Sequence, residues 1–229
     1  MSAENRLFVI NFKNYDDVSG LKSLQLAKIA AKISRKYKIK IAVCPPQHVI
    51  SEITKVAIPV FAQHVDTANP GSTTGFVVPE LIKKSGVSGS LINHSEHRIT
   101  SKEIKELVSR LKALKMTSVV CVKNVSEARQ YSKLNPDYIA IEPPELIGTG
   151  KAVSNEKPEV IIKSVKAVRS AKNSTRLLCG AGIVSSDDVT RALELGSRGI
   201  LVASGIVKAK NWERAIQEFA LAFVKNRKV

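Results

Sequence analysis

Short apolar runs recur along all 229 residues, and stretches with the spacing of amphipathic helices separate them. The runs are rich in Val, Ile and Leu and are mostly apolar on both faces, which is typical of parallel strands covered by helices. We predict eight strands, at 7–11, 39–44, 58–63, 89–93, 117–121, 138–142, 176–180 and 199–203.

The segments between the strands carry helical patterns. Residues 104–114 and 212–223 place their apolar side chains on one helix face. A further helix begins near 185–188, where serines and aspartates suit the amino end of a helix, and Pro79 opens a short one. Strict alternation without a linker-like composition predicts an α/β protein with a single (β/α)8 barrel domain over 1–229.

The rival architecture is an open, doubly wound sheet. Such a sheet normally shows a glycine-rich phosphate turn after an early strand. The first strand here runs into Asn11-Phe12-Lys13 with no glycine, which favours the barrel.

Composition and charge limit the function classes. The net charge is +16, but the lysines are scattered and aromatic residues make up only 5% of the chain, so nucleic-acid binding is not expected. No apolar run reaches the roughly 18 residues of a membrane span. The apolar run Leu7–Ile10 is too short for a signal peptide. We expect a cytoplasmic protein without membrane contact.

Three cysteines, Cys44, Cys121 and Cys179, each end an apolar run. Their odd number and wide spacing argue against a disulfide framework, and no close pair suggests a metal site. We predict that they are small buried thiols.

Polar residues mark several strand ends, and in a barrel these ends converge on one face. Asn11 and Lys13 follow strand 1, His94 follows strand 4 and Glu142 ends strand 6. Each residue alone is a weak signal, because isolated polar residues at strand ends are usually just solvated. Together, an amide, a cation, an imidazole and a carboxylate at one mouth predict an active site.

Small residues in the later loops predict an anion site. Gly148, Gly182, Ala203 and Ser204 allow close approach to the backbone, and barrels often bind phosphate after strands 7 and 8. The expected substrate is therefore a small phosphorylated molecule. No pattern indicates a metal or a nucleotide.

These groups suit proton abstraction next to a carbonyl. Glu142, if desolvated, can act as the general base, while Lys13, Asn11 and His94 can stabilise the enediolate oxygen. Pro143 and Pro144 stiffen the loop that follows, whereas Gly148 and Gly150 give it freedom. We predict that 143–150 is a lid that excludes water.

Four motifs resemble the triosephosphate isomerase family, in order and spacing along nearly the whole chain. They are NFKNY (11–15), NHSEHR (93–98), IEPPELIGTG (141–150) and LVASGIVKA (201–209), and the short length resembles the archaeal type. The resemblance implies interconversion of dihydroxyacetone phosphate and glyceraldehyde 3-phosphate in glycolysis and gluconeogenesis, without a cofactor.

The resemblance also implies roles for individual residues. Glu142 is the base and His94 a neutral electrophile; that histidine and the closing loop are established for the family. Lys13 and Asn11 are electrostatic partners, with Glu96 beside Lys13 and Ser95 near a helix start that tunes His94. The implied phosphate donors are the N–H groups of Gly148, Gly182, Ala203 and Ser204.

Some positions depart from the family pattern. His97 replaces an arginine, Ala203-Ser204 replace two glycines, Gly182 replaces a common serine, and the lid reads PPEL. Thr74 matches a loop that enters a neighbouring subunit's site, although Phe76 stands where an acid is usual. We favour a homotetramer over a dimer, because trimmed helices would expose apolar surface.

Two other functions stay open at this point. A phosphate-binding barrel enzyme could use Lys13 as a Schiff-base aldolase, although the end of strand 6 carries a carboxylate and not a lysine. A non-catalytic basic binding module would bind nucleic acid with an affinity that falls steeply with salt.

Overall fold

The computed structural model describes residues 6–226, in which β-strands alternate with α-helices. The strands are β1 (Leu7–Asn11), β2 (Lys40–Cys44), β3 (Phe61–Ala62), β4 (Gly89–Ile92), β5 (Thr117–Val122), β6 (Tyr138–Ile141), β7 (Arg176–Cys179) and β8 (Gly199–Val202). The helices are α1 (Leu21–Tyr37), α2 (Ile50–Ile53), α3 (Pro79–Lys84), α4 (Ser101–Ala113), α5 (Val125–Ser132), α6 (Val153–Glu156), α7 (Pro158–Arg169), α8 (Ser186–Glu194), α9 (Ser204–Val207) and α10 (Trp212–Lys225).

The eight strands form one parallel sheet in the order β2-β1-β8-β7-β6-β5-β4-β3. The ring closes between β2 and β3, where the N–H of Val43 donates to the carbonyl oxygen of Pro59 at 3.0 Å and Val43 bridges Val60. The predicted (β/α)8 barrel is confirmed, and the open sheet is wrong.

All eight predicted strands are present, with small differences at their ends. The largest is β3, which has two residues where 58–63 was predicted. Pro59 has no N–H to give to the ladder, so pairing on this strand is incomplete. Four other strands end one residue early, yet the ladder continues past β6 because Glu142 N–H donates to the Val122 carbonyl oxygen at 2.9 Å.

Alternation along the strands decides which side chains reach the site. A buried cluster that includes Leu7 and Val9 of β1 and Tyr138 and Ala140 of β6 contains alternate residues of the strands, as barrel interiors do. The next positions in the same alternation are Asn11 and Glu142. These two polar side chains therefore continue the interior column at the carboxyl end of the barrel.

The predicted helix starts are confirmed. The side chain of Ser185 accepts from the N–H of Asp188 in a capping box, and Pro79 occupies the first turn of α3. The helices after β2 and β3 are trimmed to four and six residues, which explains how a barrel fits in a short chain. In the described part of the chain, no helix has both the length and the apolar content needed to cross a membrane.

Candidate active site

A pocket at the carboxyl end of the barrel brings together residues from distant parts of the sequence. It is lined by eight predicted site residues: Asn11, Lys13, His94, Glu142, Gly148, Gly182, Ala203 and Ser204. Strands β1, β6, β7 and β8, with the loop after β4, deliver them to this place. The four groups expected to carry the chemistry and the four expected phosphate donors therefore share one cavity.

Lys13 is held in place by contacts with Asn11 and Glu96. Its backbone is left-handed, with φ of 50°, and its N–H donates to Oδ1 of Asn11 at 3.0 Å. Its Nζ lies 2.7 Å from Oε1 of Glu96, and only 14% of its side chain is exposed. The predicted neighbourhood of Lys13, Asn11 and Glu96 is present. An ammonium fixed in this way points a permanent donor into the pocket.

Gln63 holds the backbone of Lys13 by a hydrogen bond, a role that the sequence did not predict. Its Nε2 donates to the carbonyl oxygens of Lys13 at 3.0 Å and of Cys44 at 3.1 Å. The amide thus ties the loop after β1 to the end of β2. The available signal was its place as the polar last residue of the predicted strand 58–63.

His94 is oriented by the backbone of its own loop. Nδ1 accepts from the N–H of Glu96 at 3.2 Å, so the ring proton lies on Nε2. Nε2 in turn lies 3.7 Å from Oε2 of Glu142. The Nε2 atom of His94 therefore faces the carboxylate of Glu142 in the pocket that both residues line.

The helix start expected at Ser95 is wrong. The N–H of His97 donates to the carbonyl oxygen of His94 at 2.8 Å and closes a turn, while α4 begins only at Ser101. A single backbone N–H, from Glu96, replaces the helix end as the group facing His94. The hydroxyl of Ser95 is buried and has no hydrogen-bond partner among the described residues.

Asn93 fixes the backbone on the other side of His94. Its own backbone is left-handed, with φ of 62°. Its side chain donates to the Cys121 carbonyl oxygen at 3.0 Å and accepts from the Ile99 N–H at 3.1 Å. These bonds secure both ends of the turn that presents the imidazole.

Glu142 is a buried carboxylate, with 7% of the residue exposed. Its Oε2 has no hydrogen-bond partner in the described part of the chain. Burying an unsatisfied charged oxygen is costly unless a ligand or proton meets it, which is the condition that a general base requires. Gly180 makes room for this side chain, since a Cβ there would stand 2.5 Å from Cγ of Glu142.

Two of the three buried, unpaired cysteines lie near Glu142, and the prediction of buried thiols is confirmed. Burial raises the pKa of Cys121 and of Cys179 well above the ordinary value, and the negative charge of Glu142 raises both further. Both thiols therefore stay protonated at neutral pH, which leaves the carboxylate as the basic group of this wall.

The loops after β6 and β7 touch each other through their backbones. Ala181 and Gly182 are left-handed, with φ of 63° and 70°. A Cβ at Gly182 would stand 1.9 Å from the carbonyl oxygen of Lys151, so the serine that is common at this position does not fit here. The lost hydroxyl is thus the consequence of a close loop contact.

The predicted lid covers one side of the pocket. Pro144–Leu146 form a 3₁₀ turn, Leu146 is buried, and Ile147 and Gly148 line the pocket. On the outer side, Glu145 pairs with Lys157. Gly148 has φ of 75° and open space around its missing side chain, as does Gly150, with φ of 74°.

The amino-acid sequence was compared with family models and with curated proteins, and both comparisons point to the same family. A sequence model of the triosephosphate isomerase family matches residues 6–219. The chain belongs to this family. A triosephosphate isomerase from Cenarchaeum symbiosum (strain A) is 53% identical over 220 residues, which cover 96% of this chain and 99% of the relative. The resemblance inferred from the four motifs is confirmed.

Other triosephosphate isomerases from archaea are also similar. That of Methanocaldococcus jannaschii is 47% identical over 93% of this chain and 97% of its own length. That of Saccharolobus solfataricus is 42% identical over 93% of this chain and 94% of its own length. The similarity therefore extends over whole chains and not only over the motifs.

Thr74, the remaining predicted residue, does not line the pocket of its own chain. It lies on the exposed segment 71–76, in which Phe76 is 56% exposed. The expected contact of this segment with a neighbouring subunit stays a prediction. Among the described residues, no cluster of three or more His, Cys, Asp or Glu is placed to hold a metal ion.

Proposed function

We propose that this protein interconverts dihydroxyacetone phosphate and D-glyceraldehyde 3-phosphate. The observation that carries the proposal is the placement of a buried carboxylate 3.7 Å from an imidazole nitrogen, with a lysine on the same pocket, in a member of the triosephosphate isomerase family. The activity follows from the family, and the geometry of the site supports the proposed roles of the residues.

The reaction begins with proton removal by Glu142. The carboxylate takes a proton from the carbon next to the carbonyl, and the electron pair of that C–H bond forms the enediolate. At His94 the hydroxyl proton of the intermediate passes from one oxygen to the other, and Glu142 returns its proton to the adjacent carbon, which gives the other triose phosphate. The buried Oε2, which has no hydrogen-bond partner among the described residues, suits this step, because its free lone pair can accept the substrate proton.

The negative charge that develops on the substrate oxygen needs fixed donors. His94 supplies its Nε2–H, and Lys13 supplies an ammonium that contacts Glu96, while Gln63 holds the backbone of Lys13. Asn11 completes this group from the end of β1. Donors that are already oriented stabilise a developing oxyanion without reorganisation, and each contributes about 10²–10³ in rate.

The phosphate end of the substrate lies on the opposite wall. Backbone N–H groups of Gly148, Gly182, Ala203 and Ser204 are the proposed donors, and all four residues line the pocket. Residues 143–150 close over the bound substrate and exclude water from the enediolate. No cofactor takes part in this scheme, because the residues themselves supply the base and the donors.

A Schiff-base aldolase is less well supported. That chemistry needs a free amine as nucleophile, whereas Nζ of Lys13 is engaged by Glu96 at 2.7 Å. The end of β6 also carries the carboxylate of Glu142 where such an enzyme would need a lysine. Borohydride trapping with substrate separates the two, since a stable lysine adduct supports the aldolase.

A coupled assay with D-glyceraldehyde 3-phosphate on the purified protein tests the proposal. We expect turnover that disappears in Glu142→Gln, purified in the same way to exclude a contaminating host enzyme. Absence of turnover in the wild-type protein, together with salt-sensitive nucleic-acid affinity, would favour the basic binding module.

We also propose a homotetramer that works in the cytoplasm, as part of glycolysis and gluconeogenesis. Exposed apolar side chains support an oligomer: Leu21, Phe76, Leu81, Ile162 and Val184. Three unpaired thiols suit a reducing compartment. Light scattering on the purified protein tests the assembly, because a dimer mass would reject the tetramer and a monomer mass would reject both.

A further inference from the structure

Lys208 is a cation beside the pocket to which neither the strand-end pattern nor the family resemblance assigns a role. Nζ of Lys208 lies 4.8 Å from the centroid of the Tyr15 ring. Tyr15 itself lines the pocket with Asn11 and Lys13. A cation over an aromatic face is attracted by the ring, so Tyr15 holds this ammonium at the edge of the pocket.

The charge of Lys208 is not neutralised by a close partner. Within residues 6–226, its ammonium takes part in no ion pair of 4 Å or less. The nearby groove that Lys208 lines also contains the carboxylates of Asp17 and Glu213. Because neither carboxylate forms an ion pair with Lys208 in the described part of the chain, the charge of the Lys208 ammonium remains available to an anion in the neighbouring pocket.

Lys208 is tied to the proposed phosphate donors through one turn of helix. Its N–H donates to the carbonyl oxygen of Ser204 at 3.1 Å, and the N–H of Val207 donates to that of Ala203 at 2.9 Å. Helix α9 is in turn packed tightly, since a Cβ at Gly205 would stand 2.4 Å from the carbonyl oxygen of Ile183. The position of Lys208 relative to the donors is therefore fixed by backbone.

We propose that Lys208 is a specificity-determining residue that favours the doubly charged phosphate end of the substrate. Its backbone stands one helical turn from Ser204, a rise of about 6 Å, which is shorter than the screening length of about 8 Å at physiological salt. A fixed charge at that distance acts on substrate and transition state alike, so it lowers KM and leaves kcat unchanged. The inference rests on the phosphate site given under Proposed function.

Two neighbouring lysines offer matched controls. Lys22 and Lys210 line the same groove as Lys208, but neither has its ammonium over the Tyr15 ring. Replacing any of the three changes the net charge of the protein equally. Only Lys208 should therefore alter the recognition of phosphate.

The test compares Lys208→Gln with Lys22→Gln, Lys210→Gln and Lys208→Arg. We expect Lys208→Gln to raise KM for D-glyceraldehyde 3-phosphate about threefold to fivefold, in the range of an exposed charge pair, with kcat within about a factor of two. Lys208→Arg keeps the charge and the ring contact and should restore KM. The two control variants should match the wild type.

A neutral substrate separates phosphate recognition from a general loss of activity. With D-glyceraldehyde, which has no phosphate, kcat/KM should be equal in the wild type and in Lys208→Gln. An unchanged KM for the phosphorylated substrate would overturn the inference. So would an equal rise of KM in Lys210→Gln, or an equal loss with D-glyceraldehyde.

Direct binding keeps this inference distinct from the proposed reaction. Calorimetric titration with inorganic phosphate should show affinity about threefold to fivefold weaker in Lys208→Gln than in the wild type and in Lys210→Gln. If the wild type binds phosphate but shows no turnover, the proposed reaction fails while this titration still decides the role of Lys208. Equal affinities in the three proteins would overturn that role.

Discussion

The two sides of the pocket are held in different ways. On one side, the turns that carry Lys13 and His94 are fixed by side-chain hydrogen bonds from Asn11, Gln63 and Asn93. On the other side, the loop 143–150 is held by the buried Leu146 and an outer ion pair, and its two glycines have open space around them.

One side of the pocket therefore positions the reacting groups, and the other side controls the access of substrate to the pocket. Proton transfer and oxyanion stabilisation need groups placed to within a fraction of an ångström, which cross-strand hydrogen bonds provide. A lid must open to admit substrate and to release product, which requires a flexible backbone such as that at Gly148 and Gly150. Substitutions near Lys13 and His94 should therefore lower kcat strongly, whereas substitutions in the loop 143–150 should have smaller effects on the kinetic constants.

The largest effect is expected from Lys13→Met, which removes the cation of the rigid side. We expect kcat/KM to fall by about 10³ or more, since a fixed donor to the developing oxyanion is lost together with its charge. The fold should persist, as measured by circular dichroism, and inorganic phosphate should bind more weakly in calorimetry, because the pocket loses one positive charge. A wild-type kcat/KM would contradict the assigned role.

Glu142→Asp sharpens the comparison by moving the base without removing it. The carboxylate retreats by about one methylene, and misplacement of this size costs about 10² in rate, so kcat should fall by that factor with KM little changed. Glu159→Asp, at an exposed position of α7, is the control for the same chemical change. An unchanged kcat in Glu142→Asp would remove this residue from the mechanism.

Gln63→Leu tests whether the rigid side owes its precision to the missed amide. We expect kcat to fall about tenfold, because second-shell hydrogen bonds that orient a functional group have effects of this order. In a Lys13→Met background the same change should cost nothing further, since its action passes through Lys13. A loss of the same size in both backgrounds, or in the exposed control Gln47→Leu, would make Gln63 a merely structural residue.

The smallest effect is expected on the flexible side. Gly148→Ala places a side chain on a left-handed backbone at a cost of about 1 kcal/mol, so KM should rise a few-fold with kcat close to the wild-type value. Gly20→Ala is the control, because Gly20 also has a positive φ (54°) with open space, at the start of α1. Equal changes of KM in both variants would show a general loss of stability.

The strand ends could be predicted because their signal is local. Runs of Val, Ile and Leu predicted every strand, and alternation within a run predicts that Asn11 and Glu142 continue the interior column. The length of β3 was harder to predict. The carbonyl oxygen of Pro59 accepts a hydrogen bond from Val43 as a strand residue would, but Pro59 has no N–H to donate, so the regular strand is shorter than the apolar run.

Contacts between distant segments had no local signal. The close approach of Lys151 to Gly182 depends on how two loops pack, and nothing near either residue announces it. The same holds for the two hydrogen bonds of Gln63, which join the ends of β1 and β2. The expected helix start at Ser95 came from resemblance alone, and the local turn of this chain replaced it.

The contact between Lys151 and Gly182 has a mechanical consequence. With no clearance between these two backbones, Lys151, next to the end of the predicted lid, cannot move without displacing Gly182, a proposed donor to the substrate phosphate. Opening of the lid and release of the phosphate should therefore occur in one step, so product release and lid opening should share one rate constant.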